Sequence, residues 1–142
     1  MLRDEFEAPG ERDPASLQAE YERVLAETIE AVGAGTVAAE TGIDEERLQA
    51  IVDGESPEVT LEMAAEIVGT DPDRPDAEFV LADARDVLLM GMSTAVVDVE
   101  AIASGIDDRL EPKEIQQKVE GRYPMTLEEY AILHQFIESR TG

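Results

Sequence analysis

Apolar residues recur along most of this chain at three- and four-residue intervals, the spacing of helices that bury one face. The first such segment starts after Asp13-Pro14, an N-cap residue followed by proline at the first helical position. It stops before Gly33-Ala34-Gly35, so the pattern predicts a long helix over residues 14–32. Its predicted buried face consists of Leu17, Tyr21, Val24, Leu25, Thr28, Ile29 and Val32.

Two short helices on either side of Gly42 are predicted next. Thr36 is a suitable cap for the first helix, and Asp44 is a suitable cap for the second helix, over Glu45–Asp53. Gly54 follows the last apolar residue of this pattern and is expected to end the second helix.

A fourth helix is predicted over Leu61–Val68, with Thr60 as its cap. Residues 71–76 are rich in proline and aspartate and are predicted to be a linker. The long helix that follows, Ala77–Met92, is apolar nearly all round in its later turns. Such a helix is expected to be buried on several sides, either between two units or in a dimer interface. The apolar residues of these turns are Val87, Leu88, Leu89, Met90 and Met92.

The second half of the chain repeats the first half at an offset of about 63 residues. An insertion of about four residues at Asp107–Leu110 interrupts the match. The repeat predicts further helices near Asp98–Ser104, Pro112–Glu120 and Leu127–Ser139. The aligned positions include Val24 with Val87, Gly42-Ile43 with Gly105-Ile106, Leu48 with Ile115, Gly54 with Gly121, and Thr60-Leu61-Glu62 with Thr126-Leu127-Glu128.

These patterns together predict an all-α protein in which two related helix-turn-helix units pack around a central apolar helix. The first unit covers residues 13–70, and the second unit covers residues 77–142. Residues 1–12 are expected to form a polar N-terminal lead-in.

The charge of the chain indicates the salt environment in which this protein is expected to work. The chain has 34 acidic and 11 basic residues, a net charge of −23, and only two of the basic residues are lysines. This composition resembles that of cytosolic proteins of haloarchaea, where near-molar salt shortens the Debye length to ~3 Å and screens self-repulsion. An ordinary acidic protein and a nucleic-acid mimic are the alternatives.

Cysteine is absent, which excludes disulfides and thiolate metal sites. Met1–Pro9 has no signal-peptide character, and the longest apolar run, Val87–Val97, is shorter than the ~20 residues that a membrane span needs. A cytoplasmic protein without membrane contact is therefore expected.

The segment Tyr21–Val68 resembles the helix-turn-helix of the lambda-repressor-like (Cro/repressor) family. A small residue, Ala38, lies four positions before the turn glycine Gly42, where closely packed helices leave little room. Leu48 and Ile51 are the apolar positions that the family buries in its second helix. The second unit matches the same pattern more loosely.

The resemblance implies DNA reading by the second helix of the motif, whose N-terminal residues enter the major groove. In the first unit this helix begins Asp44-Glu45-Glu46-Arg47, and three carboxylates would face phosphates. Residues 105–142 carry 8 acidic and 5 basic residues, against 26 and 6 in residues 1–104, so positive charge is concentrated in the second unit. The predicted DNA-reading residues are Lys113, Gln116, Gln117 and Lys118, with Arg109 and Arg122 as phosphate contacts.

The expected function is therefore that of a non-enzymatic DNA-binding regulator, with double-stranded DNA as the partner. The alternative is a protein-interaction module, in which the acidic first unit binds a basic partner or the chain forms a homodimer through Val87–Met92. No nucleophile, phosphate-loop or metal-ligand motif is present, no cofactor is expected, and the single histidine, His134, is interpreted as a packed or surface residue.

The chain also resembles an uncharacterised family of small acidic haloarchaeal proteins. The resemblance rests on the opening Met1–Glu5, MLRDE, and on Glu114–Tyr130, EIQQKVEGRYPMTLEEY. It implies a source organism and no particular activity.

Overall fold

The computed structural model describes residues 13–141, and the predicted lead-in over residues 1–12 lies outside them. The described part of the chain folds into helices without a β-strand, so the prediction of an all-α protein is confirmed. The helices are α1 (Pro14–Val32), α2 (Ala34–Thr41), α3 (Glu45–Val52), α4 (Leu61–Gly69), α5 (Ala77–Ala95), α6 (Val99–Gly105), α7 (Pro112–Val119) and α8 (Leu127–Ser139).

Four of the helices begin at capping side chains; three are predicted from the sequence, and the fourth, Thr126, is the repeat equivalent of Thr60. The side chains of Asp13, Asp44, Thr60 and Thr126 accept backbone N–H groups of the following turns at 2.7, 3.5, 3.1 and 3.1 Å. Glu129 completes a capping box, because its carboxylate accepts the backbone N–H of Thr126 at 3.0 Å. These contacts satisfy N–H groups that have no partner inside a helix.

The predicted cap of α2 is wrong. This helix begins at Ala34, two residues before Thr36, and its N-cap is Gly33. Gly33 has a φ of +101°, which a residue without a Cβ adopts at little cost. The chain therefore turns from α1 into α2 within one residue, and the N–H of Val37 donates to the carbonyl of Gly33 at 3.0 Å.

The helices form two halves, α1–α4 and α5–α8, with the same order of long helix, two short helices and a further helix. Within each half the first and fourth helices pack together, and between the halves α1 packs on α8 and α4 on α5. The α2–α3 turn has three residues, 42–44, whereas the α6–α7 turn has six, 106–111, as the insertion predicts. Leu110 is buried and anchors the longer turn to the core.

A short antiparallel backbone contact joins the halves where α4 and α8 begin. The N–H of Leu61 donates to the carbonyl of Met125 at 2.7 Å, and the N–H of Leu127 donates to the carbonyl of Val59 at 2.9 Å. Thr60 and Thr126 form an isolated antiparallel bridge between these bonds. The repeat aligns Val59 with Met125 and Leu61 with Leu127, so each bond is the equivalent of the other, and the two halves are related by a local pseudo-two-fold axis at this point.

One hydrophobic core includes residues of both halves, and α5 lies inside it on its α4 and α8 sides. Leu88 and Ala84 are fully buried, whereas Leu89 and Met90 are 46% and 51% exposed. The predicted burial on several sides therefore holds, but one side of α5 presents apolar side chains at the surface. No single helix among the described residues is both long and apolar enough to cross a membrane.

Candidate nucleic-acid interface on helix α7

Helix α7 is held by its buried side, and this fixes which residues it displays. Ile115 and Val119 are buried, and the helix packs against α6 and α5. Its start is set by Pro112 at the first helical position and by a capping box between Glu111 and Glu114.

Three of the four predicted DNA-reading residues share the opposite side of α7. Lys113 and Gln116 are exposed and Gln117 is half-buried, and their spacing places all three on one face. Glu120 follows on the same face, where its carboxylate accepts a hydrogen bond from Gln116 Nε2 at 3.4 Å. The face therefore offers one ammonium group, two amides and one carboxylate, and we call it the α7 face.

The structure separates Lys118 from this face. The side chain of Lys118 is 16% exposed, and its Nζ lies 2.5 Å from Oε2 of Glu129 at the start of α8. The equivalent residue in α3 is the buried Ile51, and the residue equivalent to Glu129 is Met63. Lys118 therefore ties α7 to α8 at a position that the first half fills with an apolar side chain.

The two predicted phosphate-contacting arginines lie near opposite ends of α7. Arg109 is exposed in the six-residue turn before the helix. Arg122 is exposed after the helix, and its Nη2 lies 3.2 Å from the carboxylate of Glu120. Because 69% of the Arg122 side chain is accessible to solvent, this ion pair is expected to be weak.

The equivalent face of α3 is acidic, whereas the α7 face carries one positive and one negative side chain. Glu46 stands where α7 has Lys113, and Asp53 stands where α7 has Glu120. Gln49 is the equivalent of Gln116, and its amide likewise contacts the acidic residue four positions later, at 3.2 Å. The equivalent helices α3 and α7 thus display different charged side chains on the same exposed face.

His134 lies away from this surface, between α1 and α8. Its Nδ1 is 2.6 Å from the hydroxyl oxygen of Tyr21, and both side chains are buried. Burial lowers the pKa of His134 to about 3, and burial together with the nearby Tyr130 raises the pKa of Tyr21. The neutral imidazole and the neutral Tyr21 hydroxyl therefore share a hydrogen bond in a packed interface, in agreement with a packed histidine. Among the described residues, no group of three or more His, Asp or Glu side chains could hold a metal ion.

One exposed residue beside the α7 face is not singled out by the sequence patterns. Tyr123 is 54% exposed, whereas Tyr21 and Tyr130 are fully buried. Helical periodicity does not reach Tyr123, because this residue lies in the loop between α7 and α8. Alignment of the two halves sets it against Ser56, and that difference is the signal that could have identified it.

The fold and this surface define an all-α protein of two related four-helix halves, with an exposed polar helix face in the second half. The chain belongs to DUF5791, a family of unknown function, whose model matches residues 17–140. The expected membership of an uncharacterised family is confirmed. No curated protein and no solved structure matches the chain.

The Lys118–Glu129 ion pair is expected to stabilise the position of α7 relative to the first turn of α8. A double-mutant cycle of Lys118→Met and Glu129→Gln should give a coupling energy of ~1 kcal/mol, because both side chains are largely desolvated. Chemical denaturation at one fixed salt concentration measures the free energies of unfolding.

The control is the same cycle with Arg122→Met and Glu120→Gln. This exposed pair should couple by less than ~0.5 kcal/mol. Equal coupling energies in the two cycles would contradict the assignment of Lys118 to the α7–α8 contact.

The buried histidine predicts a loss of stability in acid. The folded chain resists protonation of His134 down to pH about 3, whereas the unfolded chain binds the proton below ~6.5. The stability difference between wild type and His134→Gln should therefore be constant above ~pH 6.5. Below ~pH 6.5 the wild type should lose ~1.4 kcal/mol of unfolding free energy, relative to His134→Gln, for each unit by which the pH falls. Urea unfolding at pH 7.5 and pH 5 measures it, and a pH-independent difference would contradict burial of the imidazole.

Proposed function

We propose that this protein is a non-enzymatic DNA-binding regulator that contacts double-stranded DNA through the α7 face. The observation that carries the proposal is the display of Lys113, Gln116 and Gln117 together on one accessible side of a short helix. Glutamine amides pair with adenine edges, and lysine binds guanine or phosphate.

The resemblance to lambda-repressor-like units supports this proposal. Helices α2 and α3 are joined by a three-residue turn that begins with Gly42 at a φ of +76°. Leu48 and Ile51 of α3 are buried, as the motif requires. In that motif the second helix reads the major groove, and α7 is the corresponding helix of the second half.

The contact belongs to the second half alone. The acidic side chains of Glu46 and Asp53 make the equivalent face of α3 repel phosphate. One chain therefore presents one reading helix, and the bound site has no two-fold symmetry within a single molecule.

The net charge of −23 bears on the salt concentration at which the protein is expected to bind DNA. We propose that the protein comes from a salt-loving archaeon and works at near-molar salt, where its self-repulsion is screened. Counterion release contributes little at such salt concentrations. Base contacts such as those of Gln116 therefore supply a larger share of the binding free energy than they would at low salt.

Fluorescence anisotropy with genomic DNA fragments in ~2 M KCl tests the proposal. Gln116→Ala should weaken binding to the selected duplex by about tenfold, because a bidentate contact to adenine is lost. Gln49→Ala is the matched control, since it removes the equivalent amide from α3, and it should leave affinity unchanged.

Two results would overturn the DNA proposal. One is the failure of the wild type to select any duplex at this salt concentration. The other is an equal loss of affinity in the Gln116→Ala and Gln49→Ala variants.

The exposed side of α5 favours a second function, association with another copy of the chain. Leu89 and Met90 are 46% and 51% exposed, whereas the equivalent residues of α1 are Ala26 and Glu27. Large apolar side chains displayed together on a surface mark protein contacts. A homodimer through this part of α5 would cover them.

Sedimentation velocity in ~2 M KCl tests this association. The wild type should sediment as a dimer and Leu89→Glu as a monomer, because a carboxylate would be desolvated in the interface. Ala39→Glu, at an exposed position of α2, serves as the control for added charge outside α5. A monomeric wild type would exclude the homodimer.

A further inference from the structure

Helices α3 and α7 end in the same backbone turn. Each is closed by a glycine with positive φ, +78° in the first half and +82° in the second. The N–H of Glu55 then donates to the carbonyl of Ala50 at 2.9 Å, and the N–H of Arg122 donates to the carbonyl of Gln117 at 2.8 Å. This bond from the third residue past the last helical residue is the Schellman arrangement, and it fixes the position of the residues that follow.

The side chains on these matching turns differ sharply. The first half places Glu55 and Ser56 where the second half places Arg122 and Tyr123. Because the hydrogen-bonded turn is the same in both halves, helix termination does not require the arginine or the tyrosine. The Ser56 hydroxyl is bound to the carboxylate of Glu22 at 2.6 Å, whereas the Tyr123 ring stands 54% exposed.

The differences at this turn continue those on the helix itself. Lys113 replaces Glu46, and Arg122 replaces Glu55. The changes from acidic to basic residues and from serine to tyrosine therefore lie on one helix and the loop after it. They define a surface larger than the α7 face, extended at its C-terminal end by Arg122 and Tyr123.

We propose that Tyr123 is a DNA-contacting residue whose hydroxyl donates a hydrogen bond to a backbone phosphate, next to the phosphate bound by Arg122. This inference rests on the proposed contact of α7 with duplex DNA. Residues that follow a helix in the major groove reach the edge of the groove, where tyrosine hydroxyls are among the groups that bind phosphate. A neutral donor suits binding at high salt, because its hydrogen bond does not depend on the release of counterions.

The test measures the affinity of the full chain for the selected duplex between ~1 and 3 M KCl. Tyr123→Phe removes only the hydroxyl and should weaken binding roughly ten- to a hundredfold, as expected for the loss of one hydrogen bond to a charged group. It should do so alike on matched and mismatched duplexes and leave the salt dependence unchanged. Arg122→Gln should instead lower the slope of log affinity against log salt by about 1.

Ser56→Ala deletes the hydroxyl at the equivalent position of the first half and should leave affinity unchanged. Thermal unfolding of each variant shows whether the fold is retained. Wild-type affinity in Tyr123→Phe, with Gln116→Ala still impaired, would overturn this inference and leave the proposed function standing. A loss that depends on duplex sequence would assign Tyr123 to a base and overturn the phosphate contact. No selective binding by the wild type would overturn both.

Discussion

The backbone contact between Val59–Leu61 and Met125–Leu127 is the constraint on which the arrangement of the two halves depends. Its two hydrogen bonds join the residues at which α4 and α8 begin, so the starts of both helices are fixed relative to each other. The same residues contribute the caps Thr60 and Thr126. From this point α4 packs on α5 and α8 packs on α1, and the buried tyrosines Tyr21 and Tyr130 meet with ring centroids 5.5 Å apart.

A pseudo-two-fold arrangement within one chain frees the halves to differ. In a dimer of identical subunits every surface residue occurs twice, whereas here each half has its own side chains. Most buried positions stay apolar in both halves, as Leu48 and Ile115 do, because the core tolerates little change; Lys118, which stands where α3 has Ile51, is an exception. The exposed positions diverge, as Glu46 and Lys113 do. Comparison with the first half therefore distinguishes the residues that the fold requires, which both halves share, from the surface residues that are particular to the second half.

Much of the α7 face could be predicted from the sequence, but the separation of Lys118 from that face could not. The helical spacing of apolar residues and the distribution of charge predict that one short helix carries Lys113, Gln116, Gln117 and Lys118. The sequence could not show that Lys118 faces α8, because a long cation in a helical pattern is normally assigned to solvent. Glu129, the partner of Lys118, is 11 residues away along the chain, and the pairing exists only because the fold brings the first turn of α8 to the Lys118 side chain. Helical periodicity does not identify Tyr123 as a surface residue, because it lies in a loop, where the spacing of apolar residues follows no regular period.

The sequence by itself determined the helices, most of their caps and the repeat, because these depend on spacing and on residues within a few positions of one another. Asp13 and Thr126 cap their helices through backbone groups only three residues away. The tertiary structure decided which sides of the helices are covered. Leu88 is buried and Leu89 is exposed, although both are leucines on one helix, because α4 and α8 cover only part of α5. Burial is a property of neighbours distant in sequence, and their positions follow from the packing of the two halves.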